Sequence, residues 1–229
     1  MMGALPSYVY ATDVDSAYIN LFIGSRATME VNGTKISMRQ TTRYPWQGLV
    51  RISVDPEQTA SFAVMLRIPA WCTGESIKVN GQSAPSGQRT RGYVRIQRKW
   101  NRNDVIELNM PMPVRQVFAN PLIEANVGRC AMMRGPVVYC VESVDTSVRV
   151  AQLLLANPAP LTAKFDDNLL DGVGVVTAQG VATPPADDVL YSTTRQMNSN
   201  TSAVITAIPY YANANRGPVD MAVWLRLSS

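Results

Sequence analysis

The stretch Met29-Glu30-Val31-Asn32-Gly33-Thr34-Lys35-Ile36-Ser37-Met38 decides the fold class. Apolar side chains recur at every second position on both sides of Asn32-Gly33, a dipeptide that tolerates the positive φ of both central residues of a type I′ turn. It predicts a β-hairpin. Asn80-Gly81, which follows Ile77-Lys78-Val79, predicts a second. The same period of two returns in Ile19, Leu21 and Ile23, in Val50, Ile52 and Val54, in Phe62, Val64, Leu66 and Ile68, and in Ile106, Leu108 and Met110. Each set is expected to mark one buried face. The three-four spacing of an amphipathic helix is almost absent. Breaks at Asp55-Pro56, Ile68-Pro69 and Asn103-Asp104 come at the short intervals of a sandwich or barrel, not those of βαβ units. The chain is predicted to be all-β.

At Met110-Pro111-Met112-Pro113 two prolines remove backbone donors and close a strand. This sets a predicted boundary between two consecutive antiparallel β-sandwich (jelly-roll-like) domains, residues 1–112 and 113–229. In the second, Cys130-Ala131-Met132-Met133 and Val137-Val138-Tyr139-Cys140-Val141 read as strands around an Arg134-Gly135-Pro136 corner, and Met221, Val223, Leu225 and Leu227 alternate near the end. Residues 143–200, broken by Pro158, Pro160, Pro184 and Pro185, are expected to be mostly long loops, with only Val173 to Val176 strand-like.

Composition then removes chemistry. There is no histidine among the 229 residues, so neither a Ser-His-Asp nor a Cys-His constellation can be built. Cys72, Cys130 and Cys140 fall short of the four ligands of a structural zinc site, and as an odd number far apart they read as free, partly buried thiols. Phosphate-cradling glycine loops and dinucleotide fingerprints are absent. The net charge of +4 is a mild, dispersed excess that implies no nucleic-acid partner. Arg89, Arg91, Arg95, Arg98, Lys99 and Arg102 do crowd one stretch with Tyr93 and Trp100. Their alternation against Val94 and Ile96 reads as the solvated face of a strand, with a polyanion footprint as the lesser reading. No signal peptide is visible, and no run reaches the ~20 apolar residues of a membrane span, so the chain reads as soluble with no stated compartment.

Two kinds of candidate site remain. Carboxylate pairs can hydrolyse glycosides without histidine, and the chain offers Asp13 with Asp15, Asp166 with Asp167, and Asp187 with Asp188. All three sit in turn-like sequence, where Asp bonds its own backbone, and are read as caps and turns. Asp13-Val14-Asp15 lacks the glycine and downstream glutamate of a calcium loop. Aromatic loops are the better candidates, because sugars present apolar C–H faces to flat rings. Tyr44-Pro45-Trp46-Gln47-Gly48 and Tyr210-Tyr211-Ala212-Asn213-Ala214-Asn215-Arg216-Gly217 bring rings, amides and a guanidinium together. Trp46, Tyr210, Tyr211 and Arg216 are the substrate-binding candidates, set against core or interface packing.

Several of these segments resemble one family. They are Tyr18-Ile19-Asn20-Leu21-Phe22-Ile23-Gly24-Ser25, Thr42-Arg43-Tyr44-Pro45-Trp46-Gln47-Gly48, Leu66-Arg67-Ile68-Pro69-Ala70-Trp71-Cys72, Val79-Asn80-Gly81, Gly92-Tyr93, Arg134-Gly135-Pro136 through Glu142, and Ile208-Pro209-Tyr210-Tyr211 through Pro218. In this order they resemble the C-terminal region of glycoside hydrolase family 127, the β-L-arabinofuranosidase-like enzymes. The resemblance implies a catalytic (α/α)6 barrel followed by two β-sandwich modules, the second commonly involved in dimer contacts. This chain resembles the two sandwiches. The family's nucleophilic cysteine and zinc ligands belong to the barrel, the last of them in a Cys-Cys-Pro-Pro-Asn motif that is missing here, so zinc is expected in a catalytic domain and no cofactor on this chain. Cys72 and Cys140 match sandwich cysteines, so no catalytic residue carries over. Asn213 departs from the family's Trp at that position. The implied function is a non-catalytic accessory module with the barrel and a second copy as partners; the alternative is a carbohydrate-binding module for plant-derived arabinose-containing glycans. A sandwich parted from its barrel exposes apolar surface, and self-association is the expected result.

Overall fold

The computed structural model describes residues 5–84, 89–183, 191, 193 and 200–228. The chain divides into two compact units, Met1–Met112 and Pro113–Ser229, both built from strands. In the first unit, β1 (Tyr10–Thr12), β2 (Ser16–Ile19), β6 (Ala60–Arg67) and β9 (Tyr93–Trp100) form a four-stranded sheet. A six-stranded sheet runs β3 (Ser25–Val31), β4 (Thr34–Thr42), β5 (Leu49–Pro56), β10 (Asp104–Asn109), β7 (Ser76–Val79) and β8 (Gln82–Ser83). Ala17, Ile19, Phe62, Val64, Leu66, Val94, Ile96 and Trp100 from one sheet meet Ile36, Met38, Val50, Ile52, Val54, Ile106 and Leu108 from the other in a single core. Trp100 is fully buried, and its indole N–H donates to the Phe62 carbonyl at 3.0 Å, so the ring enters the core with its polar atom satisfied.

Both Asn-Gly turns form as expected. Val31 pairs Thr34 across Asn32 (φ 49°) and Gly33 (φ 69°), and Val79 pairs Gln82 across Asn80 (φ 51°) and Gly81 (φ 78°). A third two-residue turn, Arg91-Gly92, joins Thr90 to Tyr93 with φ of 51° and 85°.

The second unit contains β11 (Val114–Phe118), β12 (Arg129–Arg134), β13 (Val137–Glu142), β14 (Leu153–Leu155), β15 (Leu161–Asp166), β16 (Val173–Ala182), β17 (Thr201–Pro209), β18 (Met221–Ala222) and β19 (Leu225–Leu227). The Arg134-Gly135-Pro136 corner is a tight hairpin in which Arg134 pairs Val137. Because β12 also pairs β13, the order β12, β19, β14, β16, β17, β13 runs back onto itself, with β11 on β12 and β18 on β13 outside that circuit. Cys130, Met132, Tyr139, Val141, Leu153, Leu155, Val176, Ile205 and Leu225 fill its interior.

The all-β plan of antiparallel sheets holds, and finer expectations within it are corrected. Two pairings are parallel, β2 with β6 and β14 with β19. In each case the chain makes a long excursion before returning, which is what a parallel neighbour requires. The face expected from Ile19, Leu21 and Ile23 stops at Ile19. There β2 ends, Leu21 turns its carbonyl to the Gln40 side chain, Phe22 is the buried residue and Ile23 is exposed. The alternation from Met221 to Leu227 belongs to two strands, because β18 lies on β13 while β19 crosses to β12 and β14. The tract from 143 to 200 holds β14, β15 and β16. Their signal is weak because β15 is mostly exposed and β16 carries small residues. At Gly180 a Cβ would lie 2.6 Å from the Leu154 carbonyl oxygen and 2.5 Å from Ile205 Cδ1, so only glycine fits between its neighbours. Pro184, Pro185, Asp187 and Asp188 lie outside the described residues. The three thiols are free, as expected, and fully buried where partial burial was expected.

Candidate functional site

The aromatic loop of the first unit joins β4 to β5. Thr42 Oγ1 donates to the Leu49 carbonyl at 2.8 Å and accepts the Tyr44 N–H at 3.0 Å, while the Trp46 N–H donates to the Arg43 carbonyl at 2.9 Å. Together they fold the loop into a turn that carries a cis Tyr44-Pro45 peptide. Tyr44 stacks on Trp71 with centroids 6.4 Å apart, and Phe22 meets Tyr44 edge-on at 5.9 Å. Burial pushes the Tyr44 phenol up, partly offset by its hydrogen bond with Trp71. Tyr44 and Trp71 pack against the core cluster, and Trp46 is half-buried. Gly48 closes the loop under a tight roof, since a Cβ there would sit 1.8 Å from the Met110 carbonyl oxygen.

In the second unit, Tyr210–Ala212 is a single 3-10 turn that leaves Tyr210 50% and Tyr211 66% exposed. Arg216 does not present its guanidinium to solvent. Its Nη2 donates to Glu142 Oε2 at 2.6 Å and to Asp145 Oδ2 at 2.5 Å, and its Nη1 donates to Asp145 Oδ1 at 2.8 Å. Glu142, at the end of β13, is fully buried and takes the Ala214 N–H on its other oxygen at 2.7 Å. Asp145 foremost, then Glu142, holds the guanidinium pKa above its ordinary value against the opposing effect of burial. The triad ties the 210–217 loop to the end of a core strand. The Arg216 guanidinium is thus engaged within the protein by Glu142 and Asp145. Glu142 and Asp145 were not singled out from sequence. The available signal was an acidic residue directly after five residues of a buried strand, which demands a cation nearby.

The carboxylate pairs behave as turn residues. Asp13 accepts the Tyr18 phenol O–H at 2.7 Å and the Asp15 N–H at 3.2 Å, Asp15 accepts the Ser16 hydroxyl at 2.6 Å, and Asp166 accepts the Asn168 N–H at 3.1 Å. The basic stretch lies along β9 and its flanks with most of its charge engaged. Arg89 pairs with Glu75, Arg95 with Asp15, and Arg98 stands 5.2 Å over the Trp100 ring, while Arg102 donates to the Glu57 carbonyl at 2.6 Å.

Among the described residues no three or more Cys, Asp or Glu side chains gather where a metal could be held. Burial pushes the Cys130 and Cys140 thiols up to about 11 and raises that of Cys72 as well, so none is a ready thiolate ligand or nucleophile.

Comparison with known proteins is consistent along the chain. Residues 16–112 match the family described as Beta-L-arabinofuranosidase, GH127 middle domain, and residues 114–226 match the Glycoside hydrolase family 127 C-terminal domain. A non-reducing end beta-L-arabinofuranosidase of Bifidobacterium longum subsp. longum is 32% identical over 240 residues, covering 99% of this chain and 35% of that protein. The crystal structure of a GH127 beta-L-arabinofuranosidase from Geobacillus stearothermophilus T6 aligns with a TM-score of 0.93 at 36% identity, over 99% of this chain and 36% of its own. A second GH127 beta-arabinofuranosidase structure aligns with a TM-score of 0.89 at 34% identity, over 100% and 37%. The chain therefore spans about a third of the length of these relatives.

Proposed function

The chain belongs to glycoside hydrolase family 127, as that family's middle and C-terminal domains, and from that premise we propose that it is the non-catalytic accessory part of a β-L-arabinofuranosidase-type enzyme. Its two units buttress a catalytic (α/α)6 barrel, shape one side of its cleft and promote dimerisation. The family's zinc and nucleophilic thiolate reside in that barrel. One observation carries the reading: residues 16–112 and 114–226 match the middle and C-terminal domains, while all three cysteines are sealed inside the sandwiches. A buried thiol raised to about 11 has a negligible thiolate fraction at neutral pH and no approach path for a sugar.

The test is turnover. Purified chain is expected to leave an aryl β-L-arabinofuranoside intact over long incubation. Sustained hydrolysis by the chain itself, unaffected by a chelator, would overturn the proposal.

One observation favours a second reading, a carbohydrate-binding module. Tyr210 and Tyr211 are both exposed on a turn held by the Arg216 triad, which is how a preorganised stacking element is built. Retention of the chain on immobilised arabinose-containing glycan, lost in Tyr210→Ala with the fold intact, would support it. Absence of retention by the unmodified chain would dismiss it.

A further inference from the structure

Two turns of the first unit are chemical duplicates in different surroundings. Asn32-Gly33 and Asn80-Gly81 are the only Asn-Gly pairs among the 229 residues. Both close two-residue hairpins, with Asn φ of 49° and 51° and Gly φ of 69° and 78°. Both are tied through the Asn main chain, the Asn32 N–H donating to the Val14 carbonyl at 3.1 Å and the Asn80 N–H to the Val105 carbonyl at 2.9 Å. All four residues are exposed. Only the side chains differ. Asn80 Nδ2 donates to Asp104 Oδ1 at 2.8 Å, and Asn80 Oδ1 accepts the Val105 N–H at 2.8 Å, so both ends of that amide are held. Asp104 is itself buried and fixed by the Asn101 N–H on its other oxygen at 3.0 Å. Among the described residues nothing pairs with the Asn32 amide, and neither glycine N–H is engaged.

We propose that Asn32 is a site of self-modification, converted by cyclisation and hydrolysis into a carboxylate, and that Asn80 is the same chemistry held shut by its hydrogen bonds. The Gly33 nitrogen forms a bond to Asn32 Cγ as the Cγ–Nδ2 bond breaks, and the amide nitrogen leaves as ammonia with the proton from the Gly33 nitrogen. Water then adds to one carbonyl of the succinimide ring and opens it to an aspartyl or an isoaspartyl main chain. Glycine favours the first step because no Cβ hinders approach to its nitrogen. For the Asn side chain to swing onto that nitrogen, Asn80 must first give up two hydrogen bonds that Asn32 does not make, which slows it by roughly thirtyfold. The product bears on the hairpin. It places a negative charge on a turn bonded to Val14, the residue between Asp13 and Asp15. The isoaspartyl form also lengthens the main chain by a methylene, in a turn whose Val31–Thr34 pairing sets two buried residues in register. Because β3 is an edge strand, the loosening falls on β3 and β4.

Peptide mapping by mass spectrometry, on the intact chain held in mildly alkaline buffer with and without urea, reads the amide-to-acid conversion at both sites. The native chain is expected to convert Asn32 roughly thirtyfold faster than Asn80. Urea, which removes the hydrogen bonds, is expected to bring the two rates together. Asp104→Ala, in a chain that still folds by circular dichroism, should speed Asn80 and leave Asn32 unchanged. Comparable native rates, or a native Asn32 as inert as Asn80, would overturn the proposal. A rate ratio that survives in urea would overturn it as well, by tracing the difference to neighbouring sequence. Hydrogen exchange across residues 25–42 should quicken in the converted fraction, and an unchanged hairpin would overturn the claimed effect on β3 and β4.

Discussion

Removing Arg216 should cost the second unit more than any other single surface-proximal change, and the geometry sets the size. Glu142 is completely buried, and its two partners are Arg216 Nη2 at 2.6 Å and the Ala214 N–H at 2.7 Å. Arg216→Ala leaves a carboxylate inside the protein with one hydrogen bond and no countercharge. Breaking a buried pair from one side costs about 3–5 kcal/mol. Asp145, whose side chain is 16% exposed, can turn partly to water and adds little. For a unit of this size that corresponds to a fall in Tm of about 10–20 °C. Glu142→Gln should cost less, about 1–3 kcal/mol, because Arg216 keeps both bonds to Asp145 and no charge is stranded. Arg216→Met with Glu142→Leu should cost well below the sum of the two single changes, since neither charge remains. Calorimetry, with hydrogen exchange at residues 210–217, reads the size of the loss and its place. A loss below about 1 kcal/mol for Arg216→Ala would refute the claim that this triad holds the loop.

Two further outcomes follow from packing. Gly48→Ala places a Cβ 1.8 Å from the Met110 carbonyl oxygen, a backbone atom that cannot swing aside, so the β4–β5 loop must shift. The first unit should lose about 1–3 kcal/mol in urea unfolding, and an unchanged midpoint would contradict the placement of that loop. All three thiols should resist a thiol reagent in the folded chain at pH 8 and react fully in denaturant; for Cys130 and Cys140, raised to about 11, only about one molecule in a thousand is thiolate at that pH even before burial blocks access. Rapid labelling of the native protein would show that the sandwiches open far more readily than their packing implies.

Much of the architecture is legible in single segments. Asn32-Gly33 and Asn80-Gly81 dictate their turns because positive φ at two successive residues is costly for almost any other pair. The alternation of Val50, Ile52 and Val54, all with no exposed surface, follows from the two-residue period of a strand with one face in a core. The ordered motifs from Tyr18 to Pro218 identify the family directly, because they depend only on residue identity along the chain. What tertiary structure alone decides is which distant groups meet and which apolar groups are left over. Glu142 and Arg216 lie 74 positions apart, and only the return of the chain past the end of β13 turns an isolated arginine into the clamp of its own loop. Phe22 displaces Leu21 and Ile23 from the core because β2 ends at Ile19, before the alternating pattern does. Leu122 and Ile123 look like core residues in sequence, yet a short self-bonded loop holds them in solvent. Hydrophobic period is a local property of the chain, whereas charge pairing and residual exposure depend on loop closures that no local pattern encodes.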